Sequence, residues 1–221
     1  LARALTQHKF IISLVTLIAQ TMKFIYSLLT LIVLLLIWSA INPFDYFTWF
    51  LEVLPAVLGV VMLVFTFKRF RFTNLVYGLI FVHCVILIIG GHYTYAEVPL
   101  FDWIQETFNQ TRNNYDKVGH FAQGFIPAMI TREVLFRKQV VNSNGWLNFI
   151  VVCIAMAISV TYEFIEWAVS LGTGEGGDSF LGTQGYIWDT QSDMLFASIG
   201  AIIALVLFGK YQTRQIKELN I

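Results

Sequence analysis

The sequence predicts an all-α, polytopic membrane helix bundle with six transmembrane helices and both termini in the cytoplasm. Three observations support this prediction: an apolar composition, long apolar runs, and a biased placement of lysine and arginine. Hydrophobic residues make up 57% of the 221 residues and charged residues only 13%, whereas soluble domains average about 45–50% and about 25%. The formal net charge of zero gives no basic footprint for a nucleic-acid partner.

The apolar runs are long enough to cross a bilayer, which takes about 20 residues. The predicted spans are Phe24–Ile41, Tyr46–Phe67, Phe72–Tyr93, Val118–Phe136, Leu147–Leu171 and Asp189–Gly209. Residues 1–23 are expected to form a cytoplasmic or interfacial amphipathic lead-in or to extend the first helix, 24–209 the transmembrane domain, and 210–221 a cytoplasmic tail. Because the second span carries Glu52 and Pro55, its start is expected to be kinked or tucked against its neighbours.

Lysine and arginine concentrate at every second end of the predicted spans. They precede the first span and follow the second, fourth and sixth, at Arg3, Lys9, Lys23, Lys68, Arg69, Arg71, Arg137, Lys138, Lys210, Arg214 and Lys217. The alternate connections Asn42–Asp45 and Gly172–Trp188 contain neither residue type, and Thr94–Lys117 contains only Arg112 and Lys117. The positive-inside rule therefore predicts cytoplasmic termini.

This orientation puts most of the unusual polar residues at the outer, periplasmic helix ends. They form three pairs spaced three or four residues apart, so that each pair shares one helix face: Asp116 with His120, Glu163 with Glu166, and Asp189 with Asp193. Glu163 lies eight residues before Leu171, which is about 12 Å inside the helix end. An ionised carboxylate at that depth is costly unless it is paired, protonated or metal-bound.

These six residues are the candidate catalytic residues, in a pocket between the last three spans. Several chemistries fit them. A divalent metal could take His120, Glu163, Asp189 and Asp193 as nitrogen and oxygen ligands. Metal-free acid/base catalysis could use His120 with a neighbouring carboxyl group. Proton or cation translocation, or a purely structural network that pins the helices, could use the same groups.

Three further features lie near the predicted pocket. The loop Gly172–Gly185 holds six glycines and is expected to contact a ligand through its backbone, to move as a lid, or to be a flexible outer loop. His92, at the outer end of its span, could join the pocket, whereas His83 in mid-span is expected to serve helix packing.

Motifs around these pairs resemble a known family. The segments YDKVGHFAQG (Tyr115–Gly124), YEFIEW (Tyr162–Trp167) and GTQGYIWDTQSDM (Gly182–Met194) resemble, over the whole chain, the YjdF family of bacterial inner membrane proteins, a family of unknown function. A more distant resemblance is to VanZ-type membrane proteins, associated with glycopeptide resistance. These proteins carry an Asp-Lys-x-x-His motif, then an intramembrane Glu, then an Asp that leads into the final span. The residues that match this order here are Asp116, Lys117, His120, Glu163 and Asp189 or Asp193. The resemblances imply an inner-membrane location but name no substrate.

Acid/base groups at headgroup depth favour an enzyme that acts on a lipid or a lipid-linked envelope intermediate at the outer leaflet. The expected partners are membrane lipids and a lipid-like substrate, and the possible cofactor is a divalent metal. One alternative is a transporter or flippase that uses the same carboxylates. Another is a structural or interaction protein in which the acidic pocket serves only packing.

Overall fold

The protein is described from a computed structural model that covers residues 2–173, 180 and 183–219. Seven helices are described in these ranges: α1 (Ala2–Ser39), α2 (Tyr46–Thr66), α3 (Asn74–Tyr93), α4 (Pro99–Thr107), α5 (Tyr115–Arg137), α6 (Asn144–Thr173) and α7 (Asp189–Leu219). The described elements are all helical, which confirms the all-α prediction. The GEGGD part of the glycine-rich loop, Gly174–Asp178, lies outside the described residues.

Five of the described helices are long and apolar enough to cross a membrane. These segments are Ala19–Ser39, Tyr46–Thr66, Asn74–Tyr93, Gly145–Thr173 and Asp189–Leu219. The helix α5, which the sequence predicts as a sixth span, has a sufficient length of 23 residues. It is too polar to join the five, because it carries ionisable side chains near both of its ends, and so the sixth crossing stays a prediction.

Two segments outside the predicted spans are helical: the lead-in before the first span and part of the connection after the third. The lead-in is continuous with the first span, since α1 runs unbroken from Ala2 to Ser39. The connection Thr94–Lys117 contains the short helix α4, which the sequence analysis did not predict, and Pro99 opens it at a position where proline is tolerated. The helix α2 is capped by Asp45, whose carboxylate accepts a 2.7 Å hydrogen bond from the Thr48 amide.

The packing of α5 against α7 is the most extensive helix contact in the described bundle. It is built from small residues, with Ala128, Ala197, Ala201 and Ala204 fully buried. Gly124 and Gly200 complete the contact, since a Cβ at either position would overlap the backbone of the facing helix. Small residues let membrane helices approach closely, and this approach brings the polar first turns of α5 and α7 together.

The central position of α5 explains why a polar helix lies in an apolar bundle. It packs on α3, α6 and α7, so its charged side chains face protein rather than lipid. We call the end of the bundle where α2, α5 and α7 begin the site end, and the other the opposite end. At the site end, α1 meets α3 through a 2.9 Å contact between His92 Nδ1 and the Ser39 carbonyl oxygen.

Candidate functional site

An ion-pair cluster joins the first turns of α5 and α7. Lys117 Nζ donates to Asp193 Oδ1 at 2.5 Å, to Asp189 Oδ1 at 2.7 Å and to Asp116 Oδ2 at 3.3 Å. These four residues are each at most 9% exposed. A single ammonium group thus holds three aspartates from two helices, which fixes the relative positions of the two helix starts.

Arg112 is the second cation of this cluster. Its Nη1 donates to Asp189 Oδ1 at 2.5 Å and to the Thr183 carbonyl oxygen at 3.1 Å, and its Nη2 donates to Asp116 Oδ2 at 3.3 Å. The adjacent Asn113 exchanges two backbone hydrogen bonds with the Gln184 side chain, at 3.0 and 2.8 Å. The segment before α5 is therefore tied directly to the segment before α7.

His120 links this cluster to the glutamates of α6. Its Nε2 lies 3.1 Å from Asp116 Oδ1, and its Nδ1 lies 3.1 Å from Gln123 Oε1 and 3.7 Å from Glu163 Oε1. The ring is only 5% exposed. Both ring nitrogens face oxygen atoms, so a doubly protonated imidazole can donate to both sides, and its loss of a proton would change the charge beside Glu163.

A cavity of about 150 Å³ opens beside His120, and we call it the glutamate cavity. Its polar and ionisable lining includes Glu52, Tyr95, Asp116, His120, Tyr162 and Glu166. One buried water needs only about 10–15 Å³ of such space, so the cavity can hold several waters or a small polar group. Tyr162 Oη donates to Glu52 Oε2 at 3.4 Å, which connects α6 to α2 across the cavity.

Three buried glutamates have no lysine or arginine in ion-pair contact within the described part of the chain. Glu52, Glu163 and Glu166 are 5%, 6% and 7% exposed, and Glu163 Oε1 has no hydrogen-bond partner among the described residues. The aspartates, by contrast, are balanced by Lys117, Arg112 and a protonated His120. Carboxyl groups buried without a cation are held neutral or are served by a ligand, which applies to Glu52 and Glu166, whereas Glu163 lies 3.7 Å from the His120 imidazole.

Tyr95 closes one side of the glutamate cavity from the connection after α3. Its ring fills a slot between Gly90 and Gly119, where a Cβ on either glycine would clash with it. Burial raises the pKa of Tyr95 well above its usual value. Its hydroxyl therefore stays protonated and can donate a hydrogen bond into the cavity.

Comparison with known proteins identifies the family. A family model described as "Predicted membrane protein (DUF2238)" matches residues 24–214. The chain belongs to this family. It is 45% identical over 195 residues to the inner membrane protein YjdF of Escherichia coli (strain K12). The aligned residues make up 88% of the chain and 93% of that relative. No solved structure matches the chain. With its apolar helices, this DUF2238 member is a multi-pass inner membrane protein.

The six sequence-predicted candidates all lie at the site end of this DUF2238 protein. Asp116, Asp189 and Asp193 belong to the ion-pair cluster, His120 lies between the cluster and the cavity, and Glu166 lines the cavity. Glu163 adjoins His120 without lining the cavity. Their catalytic roles stay predictions, whereas their proximity is a feature of the fold.

The predicted metal ligands are only partly brought together. The described ligand atoms that could share one ion belong to Asp116, His120 and Asp193, all within 4.8 Å of one another. Glu163 and Asp189 do not join this group. The Lys117 ammonium is bonded to Asp193 at 2.5 Å, so a divalent cation would have to share that carboxylate with an existing positive charge, which does not favour a metal.

Four residues of the site were not predicted as site residues from the sequence: Glu52, Tyr95, Arg112 and Tyr162. Glu52 offered a signal, since a carboxylate inside an apolar span is expected to face a bundle interior. Of the two histidines, His83 lines the cavity. His92 instead packs between Trp38 and Tyr93, with ring centroids 4.5 and 4.6 Å away, and does not line it.

Proposed function

We propose that this protein is a periplasm-facing enzyme that acts on a lipid or lipid-linked envelope substrate by metal-free acid/base chemistry. The observation that carries the proposal is a set of three buried glutamates beside His120 and the glutamate cavity, none with a lysine or arginine partner among the described residues. Carboxyl groups that are buried together beside a cleft are typical of acid/base sites. A bundle that only needed internal ion pairs would not require Glu52, Glu163 and Glu166 in addition to the paired aspartates.

The residues divide into reacting and positioning groups. We assign proton transfer with the substrate to Glu166, which lines the cavity. We assign proton exchange between the cavity and the ion-pair cluster to Glu163 and His120, which lie 3.7 Å apart. Asp116 orients the imidazole through its 3.1 Å contact, while Asp189 and Asp193 hold Lys117 in place. The protonated Tyr95 hydroxyl can donate to developing negative charge on the substrate.

The depth of the cavity supports an amphiphilic substrate. Glu52 lies six residues after the start of α2 at Tyr46, which is about 9 Å along the helix. A polar group reaching it from the membrane surface passes through the headgroup region. The cations Lys68, Arg69, Lys138 and Lys210 lie at the opposite end. By the positive-inside rule this distribution supports our proposal that the site end faces the periplasm and the termini the cytoplasm.

Envelope lipid profiles test the proposal. We expect deletion of the gene to change at least one lipid class, wild-type protein to restore it, and Glu163→Gln or Glu166→Gln to fail to restore it at equal protein level. Glu97→Gln is the matched control, because Glu97 is exposed in a connection near the same end. If the deletion changes no envelope lipid, the proposed enzyme activity is wrong.

Elemental analysis tests the metal-free part of the proposal. Because Lys117 already occupies the carboxylate cluster, we expect no stoichiometric divalent metal that depends on His120. The protein should be purified without chelator beside a His120→Ala variant. A metal present at one equivalent in the wild type and lost in the variant would assign the site to metal chemistry instead.

A transporter or flippase remains the second candidate, and one observation bears on it. A second buried polar network lies at the opposite end, where Glu133 accepts from Thr73 and Arg137. Between the two networks, however, α5 and α7 meet through Ala128, Met129 and Ala201, each 0% exposed. This apolar layer disfavours a conducting route. Proton flux into liposomes that rises with the protein and falls in Glu166→Gln would favour transport.

A further inference from the structure

An apolar groove separates α2 from α5. It has a volume of about 450 Å³ and is lined by residues of α2, α3 and α5 that include Gly59, Met62, Leu63, Cys84, Ile130 and Val134. The helix α3 packs against both α2 and α5, whereas α2 and α5 make no comparably extensive contact. The groove therefore has α3 as its floor, and the α2 positions Gly59 and Met62 on its wall are exposed on the surface of the bundle.

The two ends of this groove differ in chemistry. At the site end it shares Pro55, His83 and Leu87 with the glutamate cavity. At the other end it reaches Thr66 and Lys138. From Pro55 to Thr66 the α2 backbone rises by about 16 Å, close to the roughly 15 Å of hydrocarbon in one leaflet. The groove thus has the length of one lipid chain.

Positive charge surrounds the opposite end of the groove. The Phe70 ring, which lines it, lies 4.1 Å from the Arg137 guanidinium carbon and 5.8 Å from Lys138 Nζ. Lys68 and Arg69 precede Phe70 and are exposed. Among the described acidic residues, Glu133 pairs with Arg137 at 3.0 Å, and none is in ion-pair contact with Lys68, Arg69 or Lys138.

We propose that the groove binds one acyl chain of an anionic phospholipid from the leaflet at the opposite end. The phosphate lies against Lys138 and Arg69, and the chain runs along Gly59 and Met62. Basic pockets between membrane helices on one side are typical sites for anionic headgroups. The end of the chain reaches Pro55 and Leu87, where it closes the lateral side of the glutamate cavity. This lipid site does not depend on the proposed enzyme activity.

The test uses full-length protein in phosphatidylcholine nanodiscs titrated with phosphatidylglycerol, with bound lipid counted by native mass spectrometry. Gly59→Phe fills the groove, since a Cβ at Gly59 meets no atom within 4 Å, and should abolish retention of one phosphatidylglycerol. Lys138→Gln with Arg69→Gln should weaken its binding by about twenty-five-fold, because each surface cation contributes about fivefold.

Matched controls separate the site from general membrane effects. Val61→Phe enlarges a 44%-exposed position of α2 that does not line the groove. Lys210→Gln with Lys217→Gln removes the same charge from exposed positions near the end of α7. Both controls should retain the lipid. Should Gly59→Phe fail to fold, Met62→Trp blocks the groove from a 67%-exposed position. Retention of phosphatidylglycerol in the folded groove variant, or equal retention of phosphatidylcholine by the wild type, would overturn the proposal.

Discussion

Lys117 and Arg112 decide, residue by residue, which carboxyl groups of the site are balanced. Asp116, Asp189 and Asp193 each lie within 3.3 Å of one of these cations, so their charges can persist away from water. The three glutamates lack such a partner, and their environment favours groups that exchange protons. Buried carboxyl groups thus have two roles in this site. Those beside Lys117 or Arg112 form ion pairs, and those without these cations are available for proton exchange.

Replacing the central ammonium is the clearest stability test at this scale. We expect Lys117→Met to lower the free energy of unfolding by about 3 kcal/mol, because it leaves buried carboxylates unpaired. The measurement is the thermal midpoint in detergent. Lys210→Gln, at an exposed position, should change the free energy by no more than about 0.5 kcal/mol.

A second substitution makes that test specific to the ion-pair cluster. Adding Asp193→Asn to Lys117→Met removes one of the unpaired carboxylates, so the double variant should be more stable than Lys117→Met alone. A double variant that is less stable than either single variant, with losses that simply add, would show that the 2.5 Å pair does not carry the coupling that we assign to it.

Helix α5 is the element that the sequence predicts least completely. The spacing of Asp116, His120 and Gln123 predicts where this helix begins. Its low apolarity gives no sign that it packs on three other helices. The remaining helices are predicted to within a few residues because their apolar runs are long. The exceptions are α4, the extended start of α1 and the end of α7, which continues past the predicted Gly209 to Leu219. Glu52 was not predicted as a site residue because the direction in which its face of α2 points depends on tertiary packing. Arg112 was not predicted because the path of the connection before α5 depends on tertiary packing as well.

The close approach of α5 and α7 gives a prediction for this element pair. We expect Gly200→Ala to cost about 1–3 kcal/mol of unfolding free energy, because the new methyl group overpacks the contact with the Phe121 carbonyl. Gly59→Ala is the matched control in open space and should stabilise its helix by about 0.5–1 kcal/mol. Thermal midpoints that move in the same direction for both variants would contradict the packing argument.

For the whole molecule, the sixth crossing by α5 is the main prediction about topology. Single cysteines at Asn109 and Ser143, in a background with Cys84 and Cys153 replaced by alanine, flank α5 in its two connections. If α5 crosses, a membrane-impermeant maleimide added to spheroplasts should label Asn109→Cys and should label Ser143→Cys only after the membrane is permeabilised. Equal labelling of both before permeabilisation would remove the sixth span.

The bundle as a whole joins an ion-paired scaffold to a set of unbalanced glutamates beside one cavity. The scaffold orients α5 against α7, and the cavity lies where α2, α5 and α6 meet. If this division is correct, stability and function must respond to different carboxyl groups. Substitutions in the scaffold should reduce the amount of folded protein, and substitutions of the glutamates should remove function from protein that is folded.

The most direct measurement is the envelope lipid profile of a deletion strain complemented with Glu166→Gln or with Asp193→Asn, expressed per amount of folded protein. We predict that Glu166→Gln keeps a near-wild-type thermal midpoint but fails to restore the lipid profile. Asp193→Asn should lower the yield of folded protein while restoring the profile in proportion to what remains. Restoration of the profile by Glu166→Gln at matched protein level would contradict the account.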